Sequence, residues 1–189
     1  YATEDCSGVA EIAPALLSGS DADKLSSDED SFGEYPSFGE FYLQSMFILL
    51  VDDLFFFLTH IMLHIPWFYK HIHKQHHEND TSFSIVSEYA HPVEYLLSNF
   101  VTEGFILAAA GVAMFILGSR LHISTYFFYV VLKVMITNEV HSGYEVHWNP
   151  IRVLPFVNGA SCHNFHHSHN VGAYGGYTYT WDYLTGNLS

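Results

Sequence analysis

Residues 41–64 read FYLQSMFILLVDDLFFFLTHIMLH, and this stretch decides the fold. Its first eighteen residues, 41–58, are almost wholly apolar. As a helix rising 1.5 Å per residue they cover about 27 Å, close to the hydrocarbon thickness of a bilayer. Asp52 and Asp53 interrupt the run, and a carboxylate within a membrane span is costly and tends to be functional. The run ends in His60 and His64, four apart and so on one helix face. Asp53, seven residues before His60, shares that face and reads as a carboxylate that orients a metal-bound imidazole from behind. The plainer alternative is a carboxylate facing water at the membrane surface.

The spacing recurs outside this stretch. His73, His76 and His77 form HKQHH, and His163, His166 and His167 form HNFHH, with a single His141 in VHSGYE between them. The chain has 14 histidines against 6 lysines and arginines. Neutral imidazole is a common ligand for iron, copper, nickel and zinc. A lone pair of histidines four apart carries little weight, being more often a chance or hydrogen-bonded core pair. Two His-x-x-His-His sets and one His-x-x-x-His set form a stronger pattern. Each set is expected to present its imidazoles toward a single point. Eight clustered histidines exceed the four ligands of one tetrahedral zinc and suit two metals of higher coordination number. A pH-responsive histidine cluster does not account for the same spacing appearing twice.

Two further apolar runs follow. Residues 93–117 hold one charge deep inside, Glu103, and residues 122–138 lead into His141. The tripeptide GSR at 118–120 joins them as a tight turn. Pro66 is expected to end the first helix, and residues 69–78 to form a short helix carrying the second histidine set. Hydrophobic residues make up 49 % of the 189-residue chain and charged residues only 14 %, well under the usual quarter. That balance points to a membrane protein. The net charge of −14 argues against a nucleic-acid partner. Nine of the acids fall within residues 1–38 beside one base, Lys24, so this segment reads as an acidic, extended or disordered N-terminal arm. The chain starts at Tyr1, which reads as a processed form or as part of a longer protein. Cys6 and Cys162 stand in unrelated contexts and give no disulfide framework.

The expected architecture is an all-α, integral membrane protein with about three spans in a domain over 39–189. Every histidine set lies at the end of a span or beyond one, so the sets can meet on one membrane face as a metal cap. Lys70, Lys74 and Arg152 share that face and Arg120 sits at the opposite turn, which orients the cap toward the cytosol.

The order His-x-x-x-His, His-x-x-His-His, His, His-x-x-His-His around apolar spans resembles the fatty acid hydroxylase/sterol desaturase superfamily. HKQHH at 73–77, SEYAHPVEY at 87–95, VHSGYE at 140–145, HNFHH at 163–167 and the closing YTYTWDYLTG are most similar to C-4 methylsterol oxidases. The resemblance implies a non-haem di-iron centre held by His60, His64, His73, His76, His77, His141, His163, His166 and His167. Some relatives carry His-x-x-x-His at the third set, where this chain has His141 and Glu145, so Glu145 is a candidate carboxylate ligand. His147 and His91 are reserve candidates. His71 and His169 fall on the wrong helix face, and His122, at the distant turn, reads as structural. The implied activity is hydroxylation or oxidation of a sterol or fatty-acyl lipid. It uses O2 and takes electrons from NAD(P)H through a cytochrome b5-type donor, in the endoplasmic reticulum membrane. The residues leave iron and zinc open as the ion of a purified sample. Two positions depart from the family pattern: Ile61 replaces a common arginine and Tyr183 a common basic residue. The alternative is an inactive accessory subunit of a larger membrane complex, a role that suits the mitochondrial inner membrane.

Overall fold

A computed structural model of the protein describes residues 35–80, 83–149, 152 and 156–188. The acidic arm expected over 1–38 lies outside them, apart from residues 35–38. Among the described residues the chain is helical, with one isolated bridge, Val157 to Thr178, and no strand.

The helix α1, Phe38–Leu63, carries the deciding stretch. Its buried positions include Ser45, Ile48, Leu49, Asp52, Asp53, Phe57 and His60, the three-and-four spacing of one helix face. That face packs against α3, Pro92–Ile116, and α4, Ile123–Val140. Ile48, Leu49, Ile106, Ala110, Tyr129, Ile136 and Val140 form the shared core, closed by Tyr177 from the C-terminal segment. The outward faces bear exposed Leu58, Phe105, Phe115, Phe127 and Val131. An apolar surface this extensive is lipid-facing, and the protein is a membrane protein.

Two helices, α1 and α3, are long and apolar enough to cross a membrane. The expected third span is present as the 18-residue α4, but Lys133, Asn138 and Glu139 leave it less apolar than the other two. Lys133 donates to Glu103 at 2.6 Å and lies 3.4 Å from Asp52, so one charge from each of the three helices meets the others. At the far end, Gln44 donates to Ser119 Oγ and the Arg120 carbonyl. Gly118 turns there with φ of 66°, a left-handed conformation that glycine adopts without steric cost. His122 caps α4 by accepting from the Ser124 N–H, the structural role expected of it. Sixteen residues separate Gln44 from His60, about 24 Å of helix, so this turn and the histidines occupy opposite ends.

The second histidine set departs from expectation. The helix α2 is short, Pro66–His71, and residues His73–Glu78 form a separate 3-10 turn rather than continuing it. The third cap element is α5, Ala160–His169, followed by α6, Thr180–Thr185.

Candidate metal centre

The nine expected histidines converge into two groups. Ring nitrogens of His60, His64, His73, His77 and His166 lie within 4.8 Å of one another, as do those of His76, His141, His163 and His167. Eight of the nine rings are buried, and His64 is partly exposed.

The expectation that each set aims at one point holds for His60 and His64 and is corrected for the two His-x-x-His-His sets. In HKQHH, His73 and His77 enter the five-histidine group and His76 the other; in HNFHH, His163 and His167 enter the four-histidine group and His166 crosses over. In the α-helical HNFHH, residues four apart share a face whereas adjacent residues point about 100° apart, so the set divides into the pair His163–His167 and the single His166. HKQHH divides in the same way on its 3-10 turn.

The protons of the five-histidine group are assigned by their surroundings. His60 Nδ1 lies 2.7 Å from the Tyr174 carbonyl and His166 Nδ1 2.7 Å from the Gly172 carbonyl. A carbonyl only accepts, so each Nδ1 carries the proton and each Nε2 presents a bare lone pair. His73 Nδ1 faces the Glu94 carboxylate at 2.8 Å, which assigns the same tautomer. Yet His60 Nε2 lies 3.1 Å from both His73 Nε2 and His166 Nε2. Three lone pairs aimed together with no proton to share repel one another, and a cation among them converts that repulsion into ligation. The residues present fit a metal.

The four-histidine group is backed differently. His141 Nδ1 donates to the Thr137 carbonyl at 2.9 Å, within its own helical turn. His163 Nε2 stands 2.8 Å from His141 Nε2 and 3.2 Å from His167 Nε2. The backbone of Tyr89 supports His76 and that of Asn79 supports His167, while His163 Nδ1 has no hydrogen-bond partner among the described residues. The two groups touch through the stacked rings of His77 and His167, with centroids 4.6 Å apart.

Burial, with the neighbouring imidazoles adding to it, lowers the His64 pKa to about 2 and that of His167 to about 3. Burial also brings His141 and His166 down to about 4, against the pull of the Thr137 and Gly172 carbonyls. These rings are neutral near pH 7, the state in which imidazole binds metal.

Other candidates lie elsewhere. Glu145 stands outside both groups, and its carboxylate accepts from Ser161 N–H at 2.7 Å, Ser161 Oγ at 2.6 Å and Arg152. Burial pushes its pKa up, but these donors outweigh it and hold the carboxyl below its usual range. It caps the helix that carries the fourth histidine set. Asp53 does not touch an imidazole; it accepts from the N–H groups of Tyr177 and Thr178 at 2.9 and 3.1 Å and from Thr178 Oγ1 at 2.5 Å. His91 caps α3 by accepting from Val93 N–H, and His147 is exposed, outside both groups. His71 and His169 hydrogen-bond to backbone carbonyls of their own turns. The carboxylate that does meet a histidine is Glu94, which sequence reasoning missed. It stands within SEYAHPVEY, two residues after a helix-starting Pro92, and its burial at 6 % exposure is the sign of its role.

A cleft opens beside both groups. His60, His73, His76 and His141 line it together with Glu94, Asn99 and Lys133, and Phe56 and Leu63 of α1 are among its apolar lining.

A protein-family model for fatty acid hydroxylase matches residues 45–187. The very-long-chain aldehyde decarbonylase GL1-8 of Oryza sativa subsp. indica is 38 % identical over 75 % of this chain and 49 % of its own length. Methylsterol monooxygenase 2-2 of Arabidopsis thaliana is 36 % identical over 79 % of this chain and 52 % of its own. Methylsterol monooxygenase 1 of Gallus gallus is 36 % identical over 70 % and 41 %. The chain thus spans about half the length of these relatives. No solved structure matches.

Proposed function

This chain belongs to the fatty acid hydroxylase family, and from that membership we propose that it is a membrane-bound non-haem di-iron oxygenase that oxidises a methylsterol or a related lipid. The observation that carries this reading is the pair of histidine groups, both of which border one cleft between membrane helices. In it, His60, His64, His73, His77 and His166 hold one iron and His76, His141, His163 and His167 the other. When bound, the two irons supply activation of O2 for attack on an unactivated C–H bond.

The chain's own residues do the rest. Phe56 and Leu63 seat the hydrocarbon of the lipid against the histidine wall and keep water from it. Glu94 holds the His73 ring in the metal-binding tautomer. Electrons are drawn from NAD(P)H through a cytochrome b5-type donor, and the protein resides in the endoplasmic reticulum membrane.

Among the relatives named above, two are called methylsterol monooxygenases and one an aldehyde decarbonylase, so the test offers both substrates. The chain is loaded with ferrous iron in nanodiscs and supplied with NADH, cytochrome b5 and its reductase. It is then given a 4,4-dimethylsterol or a very-long-chain aldehyde. Oxygen-dependent oxidation of the sterol 4-methyl group is expected. Conversion of the aldehyde alone would overturn the substrate, and turnover of neither by iron-loaded protein would overturn the oxygenase reading.

A further inference from the structure

Residues 172–178 form a strap that passes behind the five-histidine group and supplies the carbonyls of Gly172 and Tyr174 to His166 and His60. The strap is itself pinned from outside. Asp182, fully buried at the start of α6, accepts from Tyr174 N–H at 2.9 Å and from Gly175 N–H at 2.7 Å. The Gly175 N–H and the Tyr174 carbonyl belong to one planar peptide unit. The chain of contacts therefore runs from the Asp182 carboxylate, through that single amide, to His60 Nδ1–H. A carboxylate at one end of an amide polarises the carbonyl at its other end, since hydrogen bonds in series strengthen one another. Gly175 makes the approach possible: a Cβ there would fall 2.3 Å from the Thr178 carbonyl oxygen and 2.8 Å from Asp182 Oδ2.

We propose that Asp182 is a positioning residue for the five-histidine group. Acting through the Tyr174–Gly175 amide, it orients His60 and sets the metal affinity of that group while leaving the four-histidine group untouched. The second group is backed from elsewhere: the backbone carbonyl that orients His141 belongs to Thr137, one turn earlier in α4. The inference rests on the metal-binding reading of both groups, and it assigns a role to the Trp-Asp pair near the chain's end that the cage alone leaves unexplained.

The experiment is an anaerobic titration of the metal-free full chain with Co(II), followed by visible absorption. Wild type is expected to take up two ions per chain in two phases with distinct spectra. Asp182→Asn replaces one acceptor with an amide that faces an N–H. It should weaken one phase by 10- to 100-fold, the usual cost of losing such an outer partner, and shift that phase's spectrum only. Gly175→Ala, which crowds the same contact without altering a charge, should weaken the same phase. The unchanged second phase reports that each variant is folded. Equal loss in both phases would mean that Asp182 merely supports the fold, and no change in either would mean that the relay does not reach His60; both overturn the proposal. Wild type that binds no Co(II) at all would overturn the metal-binding reading and the relay with it.

Discussion

The two histidine groups are built from the same sequence motif yet supported in different ways. In the five-histidine group His60 leans on the Tyr174 carbonyl, distant in sequence, and His73 on Glu94, while His166 takes the Gly172 carbonyl just beyond its own helix. In the four-histidine group the support is backbone: the Thr137 carbonyl one turn before His141, and the main chain of Tyr89 and Asn79 behind His76 and His167. The first group has five rings and a carboxylate, Glu94, among its outer acceptors, while the second has four rings backed by main chain alone among the described residues. Redundancy is thus concentrated on one side of the centre.

The difference is broken most sharply by removing a ring from each side. His163→Ala takes one of four ligands and should reduce metal content from two ions per chain to one. His64→Ala takes the most exposed of five and should leave two ions bound, one of them more weakly. Elemental analysis of purified protein checks both, and equal losses would show that the groups are not independent. Next in size is Glu94→Gln. With no carboxylate opposite His73 Nδ1–H, affinity at the five-histidine group should fall about 10- to 100-fold, read from competition with a chelator.

Smaller effects concern the frame around each group. Asp53→Ala leaves the N–H groups of Tyr177 and Thr178 without their acceptor and should cost about 1–3 kcal/mol. In thermal unfolding followed in detergent, the metal-loaded protein should lose its five-histidine ion first. Ser161→Ala removes a hydroxyl contact to Glu145 at the start of α5 and should cost about 0.5–1.5 kcal/mol. It acts on the helix that carries His163 and His167, so a loss of metal confined to the five-histidine group would contradict the assignment.

Much of this arrangement is legible in the residues, but unevenly. The apolar run at 41–58 and the one-faced pattern through Asp53 and His60 predict α1, because helical periodicity is a local property. The role of His122 as a structural residue at the far turn is also local, a cap two residues before its donor. The expected single helix over 69–78 failed because the chain turns at Ile72 into a tighter winding. Glu145 has ligand-like spacing from His141, yet Arg152 and Ser161, 7 and 16 residues further on, claim its carboxylate. Asp53 shares the face of His60, yet its carboxylate serves Tyr177 and Thr178 of the strap.

The sequence by itself determined that this is a helical membrane chain and that its histidines come in spaced sets sufficient for two metals. Both follow from short-range rules of hydrophobic length and helical pitch. Only the tertiary structure decided which ring of each set joins which group and which acceptor holds its proton. It also decided that Glu94, rather than Asp53 or Glu145, stands behind a histidine. The His60 contact to the Tyr174 carbonyl joins residues 114 positions apart. No periodicity records such a pairing; it exists because the packing of α1 against the C-terminal segment brings one amide to the back of one ring.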